Sequence, residues 1–350
     1  MIRRRLTLAL AVWLLFATFP LAPGQVRKRP VRTTASILER NIRAELGFLA
    51  SDAMQGRGSG TNYERVAAEY IGSQFRQFGL EGGGDTDATG RKGFVQHVPL
   101  ASVKSTLPSR AKVAFSGATE QTEGGSTWNA IGVLRGTDAG GETIMLSAHL
   151  DHLGVNEALT GDKIFNGADD DASGCVAVME MARVLAAGPR PRRTIYFVCF
   201  GSEERGGYGA RYFIANSPVP LEKIVADFNF EMLGRPDAKV APGTLWLTGY
   251  ERSTLGPELV RHGAALVADP HPEQHFFQRS DNYTLALRGV VAHTVSSFGL
   301  HTDYHRPSDE ISKIDFPFMT RSLNSLVRPI QWLSNTTFRP TWLAGQAPTR

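Results

Sequence analysis

The chain has 350 residues, 42% of them hydrophobic and 21% charged, with a formal net charge of +4. That length is ordinary for a single α/β domain. The basic surplus sits in Arg3, Arg4, Arg5, Arg27, Lys28, Arg29 and Arg32, so the body of the chain is mildly acidic. A basic binding face is therefore absent from the expectation, and nucleic acid is excluded as the partner.

The first segment reads as a signal peptide over residues 1–24. Three arginines precede an apolar stretch from Leu6 to Leu21, and Ala22-Pro23-Gly24 ends in a small residue. An uncleaved anchor is the rival, but the stretch is short for a spanning helix and carries Pro20. Residues 25–35 follow as a basic, disordered leader. The expectation is an exported protein, periplasmic or secreted, with no membrane attachment after cleavage. One domain should then occupy residues 36–338, with a tail over 339–350.

Residues 36–78 show two apolar sets at 3–4 spacing, separated by a Gly- and Ser-rich loop over 51–61, and predict two helices. Residues 93–115 read as strands. From Asn129 onward strands and helices alternate. Strands are expected at 131–134, 143–148, 194–200, 223–230, 244–248 and 289–295. Helices are expected at 173–187, 207–216, 255–267, 280–287 and 316–333, the first with Ser173 as its cap. The run at 194–200 is almost wholly apolar, as in a sheet covered on both faces. This alternation predicts a three-layer α/β sandwich with a mostly parallel central sheet flanked by helices. Cys175 and Cys199 read as buried small hydrophobes, although an exported location would permit a disulfide.

Four of the apolar runs end in acidic or imidazole groups. His149 and Asp151 follow the first, Glu203 and Glu204 the second, Glu231 the third, and His305 lies in a loop beyond the last. Asp170 lies in a Gly-rich turn among Asp169, Asp170 and Asp171. Sites in open α/β sheets gather at the carboxyl ends of parallel strands. Carboxylates and imidazoles are ligands for zinc and harder cations. Asp151 is placed to hold the second nitrogen of His149. Asp170 has two oxygens and could bridge two metals. Of the Glu203-Glu204 pair, one could coordinate while the other faces a water as base. His301 is a rival to His305.

Taken together, these residues resemble the zinc aminopeptidases of metallopeptidase family twenty-eight, clan MH. The resemblance runs from Leu49-Ala50-Ser51-Asp52, through Gly56-Arg57 and Gly60-Thr61, to Asp309. It implies a zinc exopeptidase-like fold, with His149 and Asp151 as the His-x-Asp motif and Asp170 as the bridging ligand. It implies Glu203 as general base, Glu204 as ligand, and His305 ahead of Asp309 as the last ligand. Two zinc ions per chain, held by His149, Asp170, Glu204, Glu231 and His305, would activate a water against peptide substrates with a free N-terminus. Two positions depart: Glu231 stands where the family usually has Asp, and Asn282 where it often has His. The interval from Phe115 to Asn129 is too short for the inserted protease-associated domain of some relatives. The alternatives are a single-zinc glutaminyl cyclase of the same fold and an inactive relative used for binding.

Overall fold

The computed structural model describes residues 35–102, 125–138 and 141–349. The expected signal peptide, and the leader up to residue 34, lie outside these residues. Helix α1 (Glu39–Leu49) buries Ile42, Leu46 and Leu49, and α2 (Asn62–Gln77) buries Ala67, Ala68, Ile71 and Phe75. These are the periodic apolar positions, turned inward. Thr61 caps α2 by accepting from the Glu64 N–H at 3.4 Å. The chain continues through β1 (Glu81–Gly82), β2 (Val95–Pro99), β3 (Ser126–Leu134), β4 (Thr143–His149), and the hairpin of β5 (Gly154–Val155) and β6 (Ile164–Phe165). Then come α3 (Gly174–Ala186), β7 (Thr194–Phe200), α4 (Tyr208–Ala215), β8 (Ile224–Phe230), β9 (Leu245–Leu247) and α5 (Leu255–Arg261). The last elements are β10 (Leu266–Ala268), α6 (Asp281–Ala286), β11 (Ala292–Ser296) and α7 (Phe316–Asn335).

Among the described residues a nine-stranded sheet runs in the order β1-β3-β7-β4-β8-β11-β9-β10, with β2 also on β3. Its centre, β7-β4-β8-β11, is parallel. The pairings of β3 with β1, β2 and β7, and of β9 with β11, are antiparallel. Side chains of β7 alternate between two cores. Ile195, Phe197 and Cys199 join residues of α1, α2, α3 and α7, whereas Tyr196, Val198 and Phe200 join residues of α4 and α6. Burial on both faces is why this strand is apolar throughout. The expected three layers are present.

Chain order explains where a site can form. From β4 the chain goes through α3 to β7 on one side, then through α4 to β8 on the other. Winding reverses at β4, and the carboxyl ends around such a point leave a crevice.

Two local expectations are corrected. The helix expected over 255–267 stops at Arg261, because Gly263 takes φ +98° and turns the chain into β10. Ser173 is itself helical and makes no cap bond; its hydroxyl donates to the Asp169 carbonyl at 2.7 Å and accepts from the Leu233 N–H at 2.8 Å. Cys175 and Cys199 are buried free thiols. Beyond residue 338, Trp342 Nε1 donates to the Gly289 carbonyl at 3.2 Å. Among the described residues, no helix is long and apolar enough to cross a membrane.

Candidate metal centre

Asp170 is the hub of the site. Its Oδ1 lies 3.2 Å from His149 Nε2, at the end of β4, and its Oδ2 lies 3.2 Å from His305 Nε2. His305 Nε2 is 3.3 Å from Glu204 Oε2, in the turn after β7. One carboxylate thus serves two imidazoles from different elements, one on each oxygen. Glu231 follows β8 and accepts from Asn229 Nδ2 at 3.3 Å. Its charge is felt by the cluster, though no ion pair joins it to an imidazole among the described residues. Burial pushes its carboxyl up to about 7, with His149 opposing and Glu203 and Asp170 adding.

The flanking aspartates have a different task. Asp169 Oδ1 accepts from the Gly234 N–H at 2.7 Å. Asp171 accepts from the N–H groups of His149 at 3.1 Å, Met232 at 3.2 Å and Gly174 at 3.0 Å. Asp309 accepts from the N–H groups of Asp169 and Asp170 at 3.0–3.1 Å. The loop is therefore laced to the ends of β4 and β8, and its middle aspartate faces the imidazoles of His149 and His305. Gly167 opens it at φ +56°, and a Cβ there would collide with the Asp170 carbonyl oxygen and come 2.6 Å from the His152 ring.

The role expected of Asp151 is shifted. His149 Nδ1 lies 3.2 Å from the Asp151 carbonyl oxygen and 3.8 Å from its carboxylate. The carboxylate is instead taken up by the Glu203-Glu204 turn. Its Oδ1 accepts from the Glu203 N–H at 2.9 Å, and its Oδ2 accepts from the Glu204 N–H at 3.3 Å and from the Ser59 hydroxyl. Ser202, before that turn, is held from behind by Glu64, which accepts its N–H at 2.9 Å. His301 leaves the centre to His305 and sits 3.0 Å from Asp169 Oδ2. Asn282 accepts from the Thr294 hydroxyl at 3.0 Å and donates to the Phe277 carbonyl at 3.1 Å.

Three residues escaped the sequence-derived set. His152, 1% exposed, places Nδ1 2.9 Å from Glu204 Oε1, and with Asp170 and Glu204 it forms a group able to hold a cation. Arg57, also 1% exposed, donates through Nε to Leu150 O at 2.9 Å, through Nη1 to Leu49 O at 2.6 Å and Asn166 O at 2.7 Å, and through Nη2 to Gly167 O at 3.0 Å. Asp281 is buried with neither carboxylate oxygen hydrogen-bonded, and burial, then the charge of Glu203, pushes its carboxyl well above the usual range. The repeated His in His149-Leu150-Asp151-His152 was the available signal for the first.

This donor set fits zinc. The carboxylates of Asp151, Asp170, Glu203, Glu204, Glu231 and Asp281 outnumber the imidazoles of His149, His152 and His305, and the buried Asp170 Oδ2, though 3.2 Å from His305 Nε2, receives no well-aligned hydrogen bond. Such a surplus of acidic groups calls for cations, and nitrogen with carboxylate oxygen suits zinc. Burial opposes the charge of Asp170, yet His152, His149 and His305 hold its carboxyl well below the usual carboxylate range. Burial and Asp170 likewise oppose Glu204, but His305 and His152 bring it down to about 2. His305 is lowered by burial and raised more strongly by Glu204 and Asp170, to about 10.

Comparison with known proteins agrees with this geometry. The sequence profile described as peptidase family M28 matches residues 129–327. A "probable zinc metalloprotease" of Leptosphaeria maculans is 24% identical over 215 residues, which is 61% of this chain and 45% of that protein. The chain spans less than half the length of the curated relatives it matches. The structure of a zinc aminopeptidase from Bacillus subtilis superposes with a TM-score of 0.62 at 17% identity, covering 87% of this chain and 97% of that one. A glutaminyl cyclase from Porphyromonas gingivalis superposes with a TM-score of 0.59 at 17% identity, covering 85% and 100%. These two likenesses speak to the fold.

Proposed function

The chain belongs to peptidase family M28, and from that premise we propose that it is an exported zinc-dependent aminopeptidase acting on peptides with a free N-terminus. The observation that carries this reading is the divided carboxylate of Asp170, with His149 on one oxygen and His305 with Glu204 about the other. His149, Asp170 and Glu231 would hold one zinc, and Asp170, Glu204 and His305 a second. Zinc bound there would polarise the scissile carbonyl and lower the pKa of a water from about 15.7 to about 7.

The remaining work falls to the chain's own groups. Asp151 anchors the main chain of Glu203, whose side chain stays 9% exposed at the centre. Glu203 takes the proton of the attacking water and returns it to the leaving amine. The surplus of carboxylates suits the positive α-ammonium group of a substrate N-terminus. Beside Glu231 a cavity of about 30 Å³ lined by Trp246, Phe276, Phe298 and Tyr304 offers room for a small first side chain. The cyclase reading requires one zinc, and a carboxylate engaged through both oxygens favours two.

The test is turnover of a panel of aminoacyl amides by the purified protein, with metal analysis alongside. Glu203→Gln should keep fold and zinc while lowering kcat at least ~10²-fold, the usual size of a lost general base. Activity within a few-fold of the parent would remove Glu203 from that role. Cyclisation of N-terminal glutamine without amide hydrolysis would replace the peptidase reading.

A further inference from the structure

The position of His152 suggests a role distinct from that of the ligands. We propose that His152 is a positioning residue. Its Nδ1–H claims one oxygen of Glu204, so that Glu204 offers a metal a single oxygen and one coordination position stays open. This rests on the two-zinc hydrolase reading above.

Two roles suit an imidazole in this place, ligand or donor, and its surroundings decide between them. Nδ1 lies at hydrogen-bonding distance, 2.9 Å, from Glu204 Oε1 and at 3.8 Å from Asp170 Oδ2. Nε2 is buried and has no hydrogen-bond partner. An imidazole that ligates a metal almost always donates its other N–H to something. If Nδ1 coordinated, the ring proton would sit on Nε2 with nothing to receive it, and buried orphan N–H groups are rare. With the proton on Nδ1, Glu204 receives it, and Nε2, the ring nitrogen turned away from both Glu204 and Asp170, is an unpaired acceptor outside the cluster of ligands. The tautomer follows from these partners.

The ring is not free to choose another pose. It is 1% exposed, packs where a Cβ on Gly167 would come within 2.6 Å, and meets the His305 ring edge-on at 5.7 Å. Glu204 is thereby split: Oε1 belongs to His152, and Oε2 stands 3.3 Å from His305 Nε2. Asp170, one oxygen of Glu204, and His305 make three protein donors. Catalytic zinc sites keep a fourth position for water or substrate, whereas closed four-ligand sites are structural. A ligating His152, or a Glu204 free to bind through both oxygens, would close the site.

Two variants of the full chain test this. His152→Asn puts an amide N–H where Nδ1 stands, and His152→Leu fills the space without a donor. The readouts are zinc per chain, imidazoles on zinc by X-ray absorption, the visible spectrum of the cobalt-substituted protein, and kcat. The parent should show His149 and His305 as the imidazoles on zinc. His152→Asn should keep the cobalt spectrum and stay within about threefold in kcat. His152→Leu should retain its metal, lose cobalt absorbance as the coordination number rises, and fall at least about tenfold in kcat. A third imidazole on zinc in the parent would make His152 a ligand and overturn the proposal. So would equal impairment in both variants, or full activity in His152→Leu. A parent that neither binds zinc nor cleaves aminoacyl amides would overturn the hydrolase reading itself, a result distinguishable from the other three.

Discussion

Replacing Arg57 by Met should unsettle both loops that carry the centre. The guanidinium is buried and makes four hydrogen bonds of 2.6–3.0 Å, all to main-chain carbonyls. Methionine fills most of the volume but takes their donor from the carbonyls of Leu49, Leu150 and Asn166, at about 1–3 kcal/mol each, while the Gly167 carbonyl still accepts from the Ala172 N–H at 3.2 Å. Such losses do not add fully, and the desolvation cost of a buried cation disappears with it. Burial holds the Arg57 pKa below its usual value, the sign of that cost. A net loss of about 4 kcal/mol follows from the unpaired carbonyls. Domains of this kind are stable by only about 5–15 kcal/mol, so the variant should fold marginally. Arg57→Lys keeps the charge but reaches fewer carbonyls, and should lose about half as much. Leu150 lies between His149 and Asp151, and Gly167 opens the Asp170 loop, so zinc affinity should fall about tenfold or more. Urea unfolding with and without zinc, alongside metal analysis, measures both effects. If Arg57→Met unfolds within about 1 kcal/mol of the parent and keeps its zinc, the loops are positioned by something else.

Three further expectations concern the metal and pH. Dialysis against a chelator should abolish hydrolysis and zinc should restore it, whereas full turnover in stripped protein would contradict the mechanism. Parent and Glu231→Asp should both hold close to two zinc ions; marked tightening of one ion on shortening would mean that the longer side chain misplaces its carboxylate. His293 is buried, with Nδ1–H on the Thr248 carbonyl and Nε2 accepting from Ser253, both at 2.7 Å, and burial holds its pKa down to about 4. The unfolded chain binds that proton near pH 6.5, so the folded state loses roughly 3 kcal/mol as pH falls from about 6.5 to about 4. His293→Gln should flatten the pH dependence of the urea midpoint across that window, and an unchanged slope would show that His293 does not control it.

The strand ends were legible because each apolar run stops at a carboxylate or imidazole, and burial on both faces writes a continuous apolar run into the sequence. The order of the candidate ligands along the chain was visible in the same way. Contacts made through the main chain could not. Arg57 acts on carbonyls at Leu49, Leu150, Asn166 and Gly167, and a carbonyl carries no side-chain signature. Asp151 looked like the partner of His149 because the spacing puts both on one side of a strand end. The turn after β7 brings two N–H groups to that carboxylate, which no local pattern encodes. His152 was not among the candidates, since its partner Glu204 comes from another strand end. The break between α5 and β10 was visible only as Gly263, and a lone glycine inside an apolar period is ambiguous.

The lacing of Asp169 and Asp171 also bears on how the chain can change over generations. Hydrogen bonds on both sides of Asp170 reach β4, α3 and the turn after β8, so the loop works as a ruler with fixed marks. Inserting or deleting one residue between Gly167 and Gly174 would carry a different side chain into the centre and strip N–H groups at several places at once. At the tip of the β5–β6 hairpin just before it, the hydrogen bonds of Ala158, Leu159 and Lys163 close within the hairpin itself, and Glu157 and Thr160 are exposed. Length variation among descendants of this sequence should therefore collect at that tip and stop short of Gly167, leaving a boundary between freely drifting and length-locked chain within a few residues.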